Sequence, residues 1–188
     1  MRFNKPGFGL FNPRESVDIT RFIVDVVKNL FLAIIVVVFI VLFVVQPVRV
    51  EGTSMEPQLG DQERVFINKF TYRVFPIQRG DVVVFHYPED VSKSFIKRVI
   101  ALPGESIEVV HGRVFIDGRR LTEEYLSEHS LDAVNISSFK VPEESYFVMG
   151  DHRIVSNDSR HWGALPAKYI YGKAIFKYWP LNDIGLVR

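Results

Sequence analysis

The run "NLFLAIIVVVFIVLFVVQPV", residues 29–48, decides how the chain is organised, because it contains no charged residue. Twenty helical residues extend about 30 Å, which matches the hydrocarbon thickness of a membrane. A buried core helix would rarely tolerate the unbroken apolar stretch of residues 30–45, and "QPVRVEG" lacks the small-x-small pattern of a cleavage site. The run therefore predicts one uncleaved transmembrane anchor over residues 29–48.

The charges on either side of this anchor differ. Residues 1–28 carry five Lys and Arg side chains, whereas residues 46–65 carry two beside four acidic ones. The positive-inside rule then predicts a cytoplasmic N-terminal tail over residues 1–28 and an extracytoplasmic domain over residues 49–188. We expect a single-pass protein of the plasma (inner) membrane, in contact with the lipid bilayer.

Composition excludes several classes of function. With 188 residues, 47% hydrophobic, 24% charged and a net charge of +1, the chain fits one domain beside its anchor and gives no electrostatic reason to expect nucleic-acid binding. It has no cysteine, which excludes disulfides, thiolate zinc sites and a cysteine nucleophile. Its five histidines show no paired spacing of the HxxxH kind. We expect no metal site and no cofactor.

The part that follows the anchor has the pattern of a β-domain. Short runs rich in Val, Ile, Phe and Tyr are bounded by Gly, Pro and Asp, and no helical pattern separates them. The pairs "HG" and "DG" predict tight turns around a strand at Arg113–Ile116. The fold class is therefore mainly β, with one compact antiparallel domain after the anchor. The more polar residues 122–140 are expected to form an excursion from its core.

The first candidate site residue is the serine of "VEGTSMEP", residues 50–57. If the chain runs extended up to this serine, alternation puts four residues on one side: Val48, Val50, Gly52 and Ser54. Ser54 would stand at the end of a narrow apolar floor that suits an extended peptide with small side chains. On this motif alone, a serine that merely ends a strand is the commoner interpretation.

A serine hydroxyl needs a base to become a nucleophile. In "SFIKRVIALPGE", residues 94–105, Lys97 and Arg98 interrupt an apolar strand. A guanidinium does not lose its proton in a protein, whereas a desolvated lysine can have its pKa lowered enough to act as a base near pH 7. Lys97 is therefore the candidate base. The alternative is a lysine that is ion-paired or reaches solvent along its own stem.

A third stretch, "MGDHRIVSNDSRHWGALP", residues 149–166, alternates opposite charges with hydroxyl groups ahead of a tryptophan. A solvated polar loop is the ordinary interpretation of such a sequence. The alternation also suits a self-bracing network that holds a site rigid.

Four motifs in this order, "VEGTSMEP", "RGDVVVFHYPED", "FIKRVIALPGE" and "GDHRIVSNDSRHWG", resemble those of the bacterial type I signal peptidases. These are membrane-bound serine proteases that remove signal peptides from exported proteins. The resemblance covers residues from about 30 to 180, and it implies a dyad in which Ser54 is the nucleophile and Lys97 the general base. It implies further that Ser156 hydrogen-bonds and orients the lysine, and that Asp158 and Arg160 form a supporting ion pair.

The resemblance also implies a substrate class, namely preproteins with an Ala-x-Ala pattern before the cut. The positions that match its shallow pockets for small residues are Val48, Val50, Phe95 and Ile96. Two departures from the family pattern stand out. Gly52 occupies a position where some members have a serine that helps to form the oxyanion hole, and His152 stands where an asparagine is common.

Two other interpretations remain open at this point. A serine hydrolase could use His152 together with Asp151 or Asp158 as its base. A membrane-tethered β-module could instead bind extended peptides without catalysis. The Ser54 N–H is one candidate oxyanion donor.

Overall fold

The computed structural model of the chain describes residues 19–126 and 132–187. The chain divides after Ile40 into two compact units, which are considered separately. Helix α1 spans Ile19–Phe43, and its residues 19–40 are the described part of the first unit. Over Ile19–Phe39 its mean hydropathy is 2.5 and none of its side chains is buried, so it is long and apolar enough to cross a membrane.

The helix differs at both ends from the predicted anchor, residues 29–48. Helix α1 begins at Ile19, within the segment assigned to the cytoplasmic tail, and the remaining tail residues 1–18 lie outside the described part. It ends at Phe43, because Pro47 has no N–H for a helix and restricts the residue before it to an extended conformation. Val45–Arg49 form an edge strand instead.

The second unit is built from short strands. In chain order they are β1 (Val45–Arg49), β2 (Arg64–Asn68), β3 (Val82–Tyr87), β4 (Asp90–Ala101), β5 (Ser106–Val110), β6 (Arg113–Ile116), β7 (Arg119–Arg120), β8 (Ile136–Lys140), β9 (Ser145–Met149), β10 (Leu165–Pro166), β11 (Ile170–Trp179) and β12 (Gly185–Leu186). Two one-turn helices, α2 (Thr71–Val74) and α3 (Ser159–Trp162), and two short 3-10 helices (Ala167–Tyr169 and Leu181–Asp183) complete the described elements.

All of the strand pairs are antiparallel. The large sheet has the order β1-β2-β11-β3-β4-β9-β10, with β12 beside β11, and the small sheet has the order β7-β6-β5-β8. The predicted fold class, a mainly β antiparallel domain after one apolar N-terminal helix, is confirmed.

The small sheet shows how turn chemistry places strands. His111–Gly112 and Asp117–Gly118 all have positive φ angles, between 49° and 76°, as a two-residue type I′ hairpin turn requires. They bracket β6 at Arg113–Ile116, as predicted. The segment 122–140 is less of an excursion than expected, because its end forms strand β8 and pairs with β5. Residues 127–131 of this segment lie outside the described part.

Curvature of the large sheet positions the site. Three strands separate β1 from β4 in the sheet order, yet Val48 of β1 and Ile96 of β4 pack against the same cluster of buried side chains, which includes Val65 and Ile67. Both of these are completely buried, and each such side chain stabilises the fold by about 1.5–3 kcal/mol. The sheet therefore curls enough to bring β1 across from β4.

Candidate active site

Ser54 lies in a turn rather than in a strand. Strand β1 ends at Arg49, and Gly52 has a φ of 89°, which glycine adopts at little cost. The Gly52 N–H donates a hydrogen bond to Asp61 Oδ1 at 2.7 Å, which lowers the pKa of Asp61 and fixes the turn. The predicted extended run up to Ser54 is therefore wrong after Arg49. Its four predicted residues, Val48, Val50, Gly52 and Ser54, nevertheless line one groove.

The backbone on both sides of Ser54 is tied down. The next residue, Met55, is completely buried and pairs with Leu59. The carbonyl oxygen of Ser54 accepts a hydrogen bond from the His152 N–H at 3.0 Å. The serine is thus held between the buried core and the loop that follows β9.

Lys97 points at the serine hydroxyl. Its Nζ lies 2.7 Å from Ser54 Oγ, and the residue is only 4% exposed. Burial lowers the pKa of Lys97 to about 8, against the opposing charges of Asp158 and Asp151 and with a smaller lowering by Arg160. A substantial fraction of this amine is therefore neutral near physiological pH and able to accept a proton.

Arg98, the next residue of β4, faces the other way. Its Nε and Nη2 atoms bind the two carboxylate oxygens of Asp151 at 2.8 and 2.6 Å, and both side chains are buried. Its guanidinium also lies 4.0 Å from the ring centre of Tyr125. Strand alternation thus separates a titratable cation at Ser54 from a permanent one held by a carboxylate.

The predicted ion pair between Asp158 and Arg160 is present. Arg160 Nε lies 2.8 Å from Asp158 Oδ1, and the two side chains are 1% and 0% exposed. Burial alone would raise the pKa of Asp158, but its hydrogen bonds with Arg160 and the arginine's charge lower it below the ordinary value. Asp158 Oδ2 also accepts the Gly150 N–H at 2.9 Å.

The hydrogen bond expected between Ser156 and Lys97 is absent. Ser156 Oγ is buried and has no hydrogen-bond partner among the described residues. It is close enough to Asp158 to lower the pKa of that carboxyl, without meeting hydrogen-bond geometry. The reason lies in its packing, since the Ser156 side chain is pressed against the backbone of Gly150.

Gly150 is a site residue that sequence reasoning missed. A Cβ atom at this position would lie 2.2 Å from Ser156 Oγ and 2.4 Å from the carbonyl oxygen of Ser54. Only glycine allows this approach. The available signal was a glycine placed directly between a buried strand and a polar stretch.

Two carboxylates of the segment 122–140 form ion pairs with arginines of the loop that follows β9 and of helix α3. Glu123 forms an ion pair with Arg153, and Asp132 forms one with Arg160. The carboxylates are 7% and 14% exposed. The segment expected to leave the core therefore completes the charge network of the loop that follows β9. No sequence signal pointed to these two carboxylates, because the two aspartates and two arginines of the loop balance until Arg98 is seen to bind Asp151.

The groove beside Ser54 has a volume of about 470 Å³. All four predicted pocket residues line it: Val48, Val50, Phe95 and Ile96. Strand β9 pairs with β4 only from Arg98 onward, so residues 94–97 of β4 pair with β3 on one edge and with no strand of the described part on the other. A sheet edge without a strand partner is the kind of place where an extended peptide can add to a sheet.

The structure does not bring His152 together with Asp151 or Asp158, as the histidine alternative requires. The His152 ring places Nδ1 3.3 Å from the Thr53 carbonyl oxygen and 3.8 Å from Glu56 Oε2. Both carboxylates proposed as its partners are instead bound by arginines, Asp151 by Arg98 and Asp158 by Arg160.

The chain is similar to proteins of one known family. The family described as "Signal peptidase, peptidase S26" matches residues 23–179. A probable signal peptidase I-1 from Synechocystis sp. is 40% identical over 172 residues, covering 88% of this chain and 87% of its own. Signal peptidase I P from Bacillus subtilis subsp. natto is 39% identical over 171 residues, covering 86% of this chain and 92% of its own.

A crystal structure of a signal peptidase I from Enterococcus faecalis V583 aligns with 53% of this chain and 97% of its own, at 30% identity and a TM-score of 0.47. The family match spans most of the chain, and both relatives align over more than four fifths of their length. The chain therefore belongs to the signal peptidases of peptidase family S26.

Proposed function

We propose that the chain is an endopeptidase that removes N-terminal signal peptides from exported preproteins at the outer surface of the plasma membrane. Ser54 is the nucleophile and neutral Lys97 the general base. The observation that carries this proposal is the 2.7 Å contact between Ser54 Oγ and a buried amine whose pKa is lowered to about 8.

The chemistry follows from these two groups. Lys97 Nζ accepts the Ser54 proton while Oγ attacks the scissile carbonyl carbon, which gives a tetrahedral oxyanion. The lysine then returns the proton to the leaving amine, the C–N bond breaks, and an ester on Ser54 remains. Lys97 next takes a proton from a water molecule, whose oxygen attacks the carbonyl carbon of the ester. The bond between that carbon and Ser54 Oγ then breaks, Lys97 returns the proton to Oγ, and the product leaves with its new C-terminus, which ionises to a carboxylate.

The oxyanion would be stabilised by backbone donors. The Ser54 N–H makes no hydrogen bond within the described part of the chain, so it is available for this role. The Gly52 N–H is not, because Asp61 already accepts it. Asp158, Arg160 and Ser156 act as supporting residues that hold the loop against Gly150 and the Ser54 carbonyl.

The groove supports the substrate class. An extended signal peptide would add to the open edge of β4 as a further strand, with main-chain hydrogen bonds giving affinity. The apolar walls at Val48, Val50, Phe95 and Ile96 suit the small side chains of an Ala-x-Ala site.

The decisive experiment incubates the detergent-solubilised full chain with a preprotein that carries an Ala-x-Ala site. We expect the wild type to release the mature protein and Ser54→Ala to lose at least about 10³-fold in kcat/KM. Ser138→Ala, on an exposed position of β8, is the matched control and should cleave normally. Cleavage by Ser54→Ala at a substantial fraction of the wild-type rate would refute Ser54 as the nucleophile. Peptide binding without cleavage by the wild type would favour the non-catalytic β-module.

The pH dependence should reveal the base. Because Lys97 must be deprotonated to act, kcat/KM is expected to rise with pH and to level off above about 8, falling about tenfold per pH unit below it. The lowered pKa of Asp158 keeps that carboxylate ionised across this range. Initial rates measured between about pH 6 and pH 9.5 test this, and a flat profile would contradict a lysine base.

The orientation of the chain is also a proposal. The excess of positive charge before residue 29 supports an orientation in which residues 49–188 lie outside the cytoplasm, where exported preproteins would emerge. Protease added to intact spheroplasts should therefore digest a C-terminal epitope tag and spare an N-terminal one. The reverse pattern would show that the orientation is wrong.

A further inference from the structure

The wall of the groove at Phe95 is backed by three other aromatic rings. The Phe95 ring stacks on Tyr87, with centroids 4.7 Å apart and an interplanar angle of 21°, and meets Phe85 edge-on at 6.3 Å. Trp162 lies 6.0 Å from each of the rings of Tyr87 and Phe85. These four residues, Phe85, Tyr87, Phe95 and Trp162, are called the aromatic wall below.

Phe95 is the member of the aromatic wall that lines the groove close to the reacting atoms. Its ring centre lies 5.5 Å from Lys97 Nζ, which in turn lies 2.7 Å from Ser54 Oγ. A substrate must bring its scissile carbonyl carbon to Ser54 Oγ. The side chain immediately before the cut then lies within reach of the Phe95 ring, which limits the depth available to it.

The neighbouring aromatic rings limit the positions that the Phe95 ring can adopt. Phe95 is only half-buried, and Phe85, its register partner on β3, meets it at the ring edge. Tyr87 therefore provides the stacking face, and Trp162 packs against Tyr87 from behind. Without either ring, Phe95 could turn away from the groove into the space left behind, because a vacated site is filled by its neighbours where they can move.

The aromatic wall is also connected to the loop that follows β9. Trp162 ends the one-turn helix α3, whose first turn is capped by the Asp158 carboxylate. The Asn157 side chain lowers the pKa of Tyr87, although the Glu89 hydrogen bond leaves that pKa raised overall. The loop that positions Ser54 thus also positions the rings behind Phe95.

Resting on the proposed function, we propose that Tyr87 and Trp162 are positioning residues that limit the size of the substrate side chain immediately before the cut, by holding the Phe95 ring in the groove. Neither residue lines the groove itself. Their effect is therefore on the choice between substrates, and it acts entirely through Phe95.

The test uses the full chain in detergent and two preproteins that differ only by Ala or Leu immediately before the cut. The quantity measured is the ratio of kcat/KM for the Leu preprotein to that for the Ala preprotein. Tyr87→Leu and Trp162→Leu are expected to raise this ratio about tenfold or more, the range that methylene-sized changes in an apolar pocket give. Tyr178→Leu is the control, since Tyr178 stacks on Phe66 at 4.3 Å and 22° outside the groove. Its ratio should match the wild type.

A fall in cleavage of both preproteins at an unchanged ratio would overturn the inference, because a merely structural role lowers activity without changing selectivity. Tyr87→Phe keeps the stacked ring and should keep the wild-type ratio; a ratio as high as that of Tyr87→Leu would assign the effect to the hydroxyl and overturn the role of the ring. Trp162→Phe covers the case in which a leucine variant does not fold: a several-fold rise supports the inference and a wild-type ratio overturns it. A wild type that cleaves neither preprotein would refute the proposed function itself.

Discussion

Replacing Lys97 with arginine is expected to abolish preprotein cleavage, with a loss of at least about 10³-fold in kcat/KM. The change keeps the positive charge, but a guanidinium cannot accept the Ser54 proton. It also places a permanent cation in a buried position where burial already opposes the charged form. The purified variant is incubated with the preprotein in detergent, and cleavage is measured as conversion of the preprotein to the smaller mature protein on a denaturing gel.

Lys97→Met separates loss of the base from loss of the fold. Folding lowers the pKa of Lys97 from 10.5 to about 8, so below pH 8 the buried ammonium opposes folding, and this effect disappears only as the pH rises from about 8 to 10.5. At pH 7 Lys97→Met should therefore be inactive yet melt no lower than the wild type. His152→Ala is the second control and should retain most activity. Substantial cleavage by Lys97→Arg, or complete inactivity of a folded His152→Ala, would exclude the dyad.

Gly150→Ala is expected to lower kcat by about 10²-fold or more, although no reacting atom is changed. The new methyl group would stand 2.2 Å from Ser156 Oγ and 2.4 Å from the Ser54 carbonyl oxygen, so the nucleophile turn or the loop must move. Displacing a nucleophile from its base by about 1 Å has an effect of this size.

Gly185→Ala is the matched control, because a Cβ atom there meets nothing within 4 Å, and it should leave kcat unchanged. Adding Ser156→Gly to Gly150→Ala removes the side-chain half of the clash but not the backbone half, so only partial recovery of kcat is expected. Melting temperatures distinguish a displaced site from an unfolded domain. A folded Gly150→Ala with normal kcat would show that Gly150 does not position Ser54.

Local patterns in the sequence predicted the strands and turns, because these depend on neighbouring residues. The two "HG" and "DG" turns set strand β6 at its predicted bounds. The apolar run marked the N-terminal helix, but hydropathy does not distinguish Val45 in a helix from Val45 in a strand. That choice depends on the partner strand at Arg64–Asn68, which lies far along the chain.

Contacts in the candidate site were predictable where resemblance or side-chain chemistry singles out a residue, as for Ser54 with Lys97 and Asp158 with Arg160. They were not predictable where tertiary packing decides. Ser156 is pressed against Gly150 instead of reaching Lys97, and Glu123 and Asp132 enter the charge network from a segment that looked solvated. These contacts join residues that are distant in sequence or close only because a glycine lacks a side chain.

Because two neighbouring residues of β4 are cations, the register of this strand determines which of them faces Ser54. Lys97 and Arg98 face opposite sides, and the pairs Lys97 with Val83, Arg98 with Val82 and Arg98 with Met149 fix which side each occupies. A slip by one residue would turn the guanidinium toward Ser54 and the amine toward Asp151, with nearly the same composition on each face. Such a protein could remain folded and well paired while having no base. In the proposed mechanism, the hydrogen-bond ladder of β4 therefore decides which of two neighbouring side chains can take the proton of Ser54.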